Sequence, residues 1–305
     1  MIELTRILCP IDFSPFSERA LKAAVRMAQW YGATVDVLHV IPRLPPSTVS
    51  EAAPSSRTLA VQHLNAAVEL CRLPGVQIAT ELVESEDTTR EIIEGAERFN
   101  ADLIVTGSHG RSGVQRVLFG SVVEALLHTC RRPVLTIPSH VDPQQLDQPL
   151  DVKRIVCGVD FAAPSVSALA FAFSIAEEAN AKLTLLHAIE MPPELKNPPQ
   201  TADDDIGLIR AEAEAETLTR LRALVPEHAR DYCTVQTDVL EGGASRQILR
   251  EAVAQNADLI VLGVHGRNAF DLAFFGSTSK DVIRYAQCPV LIVPVSRHAT
   301  MRAAS

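Results

Sequence analysis

Two glycine-rich segments carry the residue types and spacing that hold an anion. Gly107, Gly110, Gly120 and Ser121 form the pattern G-x-x-G-x(9)-G-S, and Gly263, Gly266, Gly276 and Ser277, followed by Thr278, repeat it. Glycine lets backbone approach a ligand closely and adopt positive φ. Gly120-Ser121 stands immediately before a predicted helix, where free N–H groups and the positive end of the helix dipole favour negative charge. The Ser121 hydroxyl adds a donor, and together these parts suit a di- or triphosphate. Arg111 and Arg267 are suited to pair with phosphate charge. His109 and His265 read as residues that order the turn through a backbone hydrogen bond, ahead of any catalytic role. A His-Gly turn and a Gly-Ser helix cap are also ordinary structural features, and duplication copies turns as readily as sites. Asp12, and Asp160 in the second copy, shift the balance toward a ligand, because each is predicted on the facing lip of the same crevice. No Lys follows the glycines as in a Walker loop, the spacing does not fit G-x-G-x-x-G, and no nucleophile elbow is present.

The elements that must position these residues recur. TRILCPIDFSPFSERALKAAV (5–25) matches KRIVCGVDFAAPSVSALAFAF (153–173), and the offset from Asp12 to Asp160, like that from His39 to His187, is 148. NADLIVTGSHGRSG (100–113) matches NADLIVLGVHGRNA (256–269) at an offset of 156, so the second copy gains eight residues between them. The Pro- and Asp-rich stretch 191–205 is the natural place for the gain, since loops absorb insertions at little cost. The repeat predicts two domains, 1–140 and 151–297, joined by a polar linker near 137–153 that lacks hydrophobic periodicity.

Within the first copy, apolar runs at 6–12, 33–41, 102–107 and 133–138 and the alternating run 76–83 read as strands. Ser14-Pro15 signals a helix start, and helical spacing follows it, recurs around Leu59–Val68 and appears again at 91–99 and 122–127. Strands alternating with helices require right-handed crossovers and a parallel sheet covered on both faces. The expected fold is α/β: two tandem doubly wound, Rossmann-like domains, each a five-stranded parallel sheet of order 3-2-1-4-5. The winding then reverses between the first and fourth strands. Ligands bind such sheets outside the strand ends at that switch, where Asp12 and Gly107–Gly110 lie.

Composition narrows the partners. The chain has 305 residues, a formal net charge of −9, and no clustering of Lys and Arg into a basic stripe, so no nucleic-acid partner is expected. Only 5% of residues are aromatic, which disfavours a base-stacking platform. The six cysteines form no C-x-x-C pair, and Cys9 and Cys157 sit in apolar runs as small core hydrophobes. That usage suits a reducing, cytoplasmic setting. No signal peptide and no membrane partner are expected, because no apolar run is long enough to span a bilayer.

The strand-end Asp, the LHV segment and the doubled glycine pattern resemble the universal stress protein family over nearly the whole chain, twice, in its ATP-binding branch. The resemblance implies ATP, with or without Mg²⁺, as the ligand. It implies that Asp12 contacts the nucleoside and Val40 meets adenine through its backbone. Gly107, Ser108, His109, Gly110, Arg111, Ser112 and Gly113 wrap the phosphates, with Ser121 and Val122 capping them. In the second copy the matching positions are Asp160, Ala188, Gly263, Gly266, Arg267, Ser277 and Thr278. The family often pairs domains through their last strands, so PVLTIP and PVLIVP are expected to pair within the chain as an intrachain pseudo-dimer, with a chain-to-chain homodimer open on top of it. The expected role is regulatory, in a stress response, with at most slow ATP hydrolysis. The alternative is a nucleotide-free interaction or small-ligand protein. An ATP-consuming ligase is disfavoured because PIDFSPFS lacks the glycines of a pyrophosphate loop. The copies differ: Ser14 becomes Ala162, Ser112-Gly113 becomes Asn268-Ala269, and Asp271 adds a carboxylate to the second glycine segment. The N-terminal site is therefore expected to bind more tightly.

Overall fold

The computed structural model describes residues 2–43, 56–110, 120–190, 203–264 and 276–294. Contacts divide the chain into two compact units, one of residues 3–150 with 287–292 and one of residues 151–286 with both chain ends.

In the first unit the order is β1 (Arg6–Pro10), α1 (Pro15–Tyr31), β2 (Thr34–Pro42), α2 (Ser56–Cys71), β3 (Gln77–Ser85), α3 (Thr88–Arg98), β4 (Leu103–Gly107), α4 (Ser121–Thr129) and β5 (Val134–Ile137). The strands lie in the order β3-β2-β1-β4-β5, and each of these neighbouring pairs is parallel. Ile7 pairs with both Val35 and Leu103, which puts β1 and β4 side by side at the centre. Every residue of β4 is buried, as expected of a strand covered on both faces, whereas the edge strand β3 alternates between exposed and half-buried positions. α1 is defined at both ends: Ser14 caps its start, Pro15 enters at the first turn, and Gly32 at φ 67 ends it in the left-handed conformation. Its buried face includes Ala20, Leu21, Ala24, Val25 and Ala28, at helical spacing.

The second repeat follows the same plan with α6 (Ala163–Ala179) following β6 (Arg154–Gly158), then β7 (Lys182–Ile189), α7 (Asp203–Ala223), a short α8 (Ala229–Tyr232), β8 (Thr234–Glu241), α9 (Ala244–Gln255), β9 (Leu259–Gly263), α10 (Ser277–Tyr285) and β10 (Val290–Val293). Its order is β8-β7-β6-β9-β10, with β6, β7, β8 and β9 pairing in parallel. The doubly wound α/β fold and the 3-2-1-4-5 order expected from the sequence are both present. Residues 287–292 group with the first unit, where Val290, Leu291 and Ile292 lie antiparallel to Thr136, Leu135 and Val134.

Three local readings differ from the structure. β1 ends at Pro10 instead of residue 12, because the chain turns at Phe13, whose φ is 62. α3 starts at Thr88 instead of Glu91, since Asp87 caps it by accepting from Arg90 N. The linker is not featureless: α5 (Pro143–Asp147), capped by Asp142, buries Leu146. Asp147 holds it to α1 through Lys22 and through its carbonyl to Arg26. A single turn is too short to show periodicity in sequence.

Candidate functional site

The first crevice begins where β1 stops. Ile11 N still donates to the Leu38 carbonyl at 2.9 Å, and Phe13 then turns the chain into α1. Asp12 is held by that turn. Its Oδ1 accepts from Ser14 N at 3.0 Å and from the Ser14 hydroxyl at 2.6 Å. Ser14 Oγ in turn accepts from Ser17 N at 3.2 Å, so one hydroxyl caps the helix and fixes the carboxylate together. Ser17 Oγ, 3.3 Å from Asp12 N, accepts from it. The Phe13 ring packs on the His39 ring with centroids 4.2 Å apart. His39 Nδ1 lies 2.7 Å from the Ile11 carbonyl, which makes that nitrogen the donor. Val40 follows, buried near the end of β2.

The facing lip is the end of β4. At Gly107 a Cβ would stand 2.7 Å from the Phe16 carbonyl oxygen, so no side chain fits against α1 there. Ser108 is buried, its N–H donates to the Ile137 carbonyl at 3.1 Å, and its hydroxyl lies 2.9 Å from His109 Nδ1. His109 also packs against Phe16 at 5.4 Å. His109 Nδ1 is thus engaged by the hydroxyl of its own neighbour. A Cβ on Gly110 would lie 3.0 Å from Asp12 Oδ2, and one on Gly120 would lie 3.5 Å from Gly110 N. Gly120 N donates to the Ser108 carbonyl at 3.3 Å. Asp12, Gly110 and Gly120 therefore line one cradle, in which added carbons would fill the space beside the carboxylate. Gly120 caps α4 without a side-chain hydrogen bond, which leaves first-turn N–H groups for a ligand. Ser121 is exposed and Val122 half-buried at that end.

The second crevice repeats part of this. Asp160 Oδ1 accepts from Ala162 N at 3.0 Å, and Ser165 Oγ, 3.2 Å from Asp160 N, accepts from it. Ala162 has no hydroxyl to donate to the carboxylate, and α6 has no side-chain cap. His187 Nδ1 lies 2.6 Å from the Val159 carbonyl, with half-buried Ala188 next in the chain. A Cβ on Gly263 would meet Pro164 C at 2.5 Å. Gly276 caps α10 without a side-chain bond, with Ser277 exposed and Thr278 half-buried behind it. Arg111, Ser112, Gly113, His265, Gly266 and Arg267 lie outside the described residues, as does Asp271. Most of 191–205 does too, but the residues packed on Phe13 and Phe161 from α2 and α7 are His63 and Arg220, an offset of 157. The offset thus grows by nine between His187 and Arg220, and one residue is lost again before Asn256, which leaves the net gain of eight.

Phe13 and Phe161 were not singled out from the sequence, although both follow the strand-end Asp and both adopt positive φ, 62 and 63. The recurrent Asp-Phe dipeptide was the available signal. Among the described residues no group of His, Cys, Asp and Glu could hold a metal ion, and no helix is long and apolar enough to cross a membrane.

Comparison with known proteins gives one result throughout. The sequence pattern of the universal stress protein family matches residues 3–138 and again 151–294. A universal stress protein of Mycolicibacterium smegmatis is 29% identical over 302 residues, covering 94% of this chain and 96% of the relative. Universal stress protein A homolog 1 of Coxiella burnetii is 35% identical over 136 residues, covering 43% of this chain and 94% of that one. The crystal structure of a universal stress protein from Archaeoglobus fulgidus superposes with a TM-score of 0.62 at 22% identity, covering 96% of this chain and 97% of that one, and shares the fold.

Proposed function

Because the chain belongs to the universal stress protein family, we propose that it binds an adenine nucleotide, ATP, in a regulatory role and turns it over slowly or not at all. One observation carries this reading: the Asp12 carboxylate faces side-chain-free backbone at Gly110, which itself abuts the uncapped start of α4. A carboxylate accepts from hydroxyl or amino groups of a nucleoside, and a helix N-terminus favours phosphate, so one crevice offers both chemistries that a nucleotide uses.

In the first crevice Asp12 and the Val40 backbone hold the nucleoside. Gly107, Ser108 and Gly110 let the phosphates approach, and beside Gly120 the residues Ser121 and Val122 present N–H groups to them. Asp160, Ala188, Gly263, Gly276, Ser277 and Thr278 do the same in the second. Bound ATP contributes its charge and its differential affinity for one conformation, and so shifts an equilibrium.

Calorimetric titration of the full chain with ATP, with and without Mg²⁺, tests the reading, alongside a phosphate-release assay. Saturable binding weakened by Asp12→Ala is expected, with little or no phosphate released. The first crevice is expected to be the tighter, because the Ser14 hydroxyl donates to Asp12, whereas Ala162 at the matching place has no hydroxyl to give. Absence of binding overturns the proposal, and loss confined to Asp160→Ala overturns the ranking.

A further inference from the structure

The two crevices differ in a charge that neither glycine pattern contains. Arg220 of α7 places its guanidinium carbon 4.3 Å from the centre of the Phe161 ring. The corresponding place over Phe13 is taken by His63 of α2, edge-on at 5.5 Å. The next residues, Leu64 and Leu221, are both buried, which confirms that the two helices present the same face. One crevice thus carries an imidazole where the other carries a permanent cation.

Arg220 stands at a defined corner. Phe161 directly follows Asp160, and its ring also packs on His187 at 4.8 Å, the residue before Ala188. The guanidinium is therefore stacked above the place where β6 and β7 end. Arg220 is exposed, and among the described residues it makes no ion pair, in a chain with 37 acidic and 28 basic residues. Stacking on a ring holds the planar group while leaving its N–H edges free, and that fork matches two oxygens of a phosphate.

The remaining question is which phosphate. The helix start at Gly276 draws the polyphosphate, whereas the Asp160 carboxylate accepts from one ribose hydroxyl and leaves the neighbouring one toward Arg220. A cation at the Asp160 corner consequently serves the nucleoside end, where the ribose hydroxyls are the groups that carry an additional anion. We infer that Arg220 is a specificity-determining residue that makes the second crevice select an adenine nucleotide bearing a second phosphate on its ribose. The inference rests on the nucleotide-binding reading given above.

The test titrates the full chain with AMP, adenosine 2′,5′-bisphosphate and adenosine 3′,5′-bisphosphate. One equivalent of a bisphosphate is expected to bind about tenfold more tightly than AMP, the worth of one charge-assisted bidentate contact. Arg220→Gln removes the preference and leaves AMP binding unchanged, while His63→Arg creates a second preferring equivalent. AMP binding with no preference for either bisphosphate, or a preference that survives Arg220→Gln, overturns this inference alone. Absence of binding by all three ligands while ATP still binds overturns this inference alone, and absence of ATP binding as well overturns it together with the nucleotide reading.

Discussion

Glycines that look alike in the sequence do different things. Gly107 and Gly263 sit against backbone of the helix that follows the first strand of their repeat, where an added Cβ would stand 2.7 and 2.5 Å from the nearest atoms. Backbone cannot move aside, so Gly107→Ala and Gly263→Ala are each expected to cost about 1–3 kcal/mol of stability, measured by urea unfolding. Gly110 meets only the tip of the Asp12 side chain. Gly110→Ala is therefore expected to leave the unfolding midpoint nearly unchanged while displacing the carboxylate and weakening ATP binding. An unchanged midpoint for Gly107→Ala, or unweakened ATP binding by Gly110→Ala, contradicts this division. The motif and its spacing were legible in sequence, but the division of labour was not. Each glycine's neighbour comes from another element, Phe16 for one and Asp12 for the other.

At the scale of elements, the start of the first helix in each repeat is the informative comparison. Ser14 caps α1 and holds Asp12, whereas Ala162 at the matching place leaves α6 without a side-chain cap. Ser14→Ala is expected to cost about 1 kcal/mol and also to weaken binding at the first crevice. Ala162→Ser is expected to stabilise the second unit by a similar amount. Denaturation midpoints read both, and a destabilised Ala162→Ser variant refutes the capping argument. The linker helix gives a second contrast. Its Asp147 pair with Lys22 is solvent-exposed, so Asp147→Ala is expected to cost under about 1 kcal/mol. Leu146 is buried, and Leu146→Ala is expected to cost about 2 kcal/mol or more. Equal costs would mean that the ion pair, not burial, docks the helix. The caps were readable because capping is set by residues two or three apart. α5 was missed because what holds it lies more than a hundred residues away in α1.

Across the molecule, all six cysteines are buried. Burial pushes Cys71 up to about 11 and Cys157 up to about 12, and Cys9 further still. The folded chain keeps these thiols protonated after the unfolded chain has begun to lose its protons near the ordinary value of 9.0. Their contribution to stability is therefore complete below about pH 9 and is lost as pH rises toward 12, at about 1.4 kcal/mol per unit for one fully suppressed thiol. Urea unfolding from pH 7 to 10.5 is expected to show this alkaline decline, with a shallower slope in Cys157→Ala; an identical slope contradicts it. The sequence alone determined the duplication, the alternation of strands and helices, the strand order and the two lips of each crevice. All of these follow from periodicity, from repeated glycine spacing and from the steric rules of right-handed crossovers, which act locally along the chain. Only the tertiary structure decided which glycine faces the carboxylate and that Phe13 and Phe161 turn their strand ends. It alone set Arg220, fifty-nine positions on from Phe161, over that ring. Such contacts join residues remote in the chain, and their geometry arises from how each helix packs on the sheet, which no spacing along a single sequence encodes.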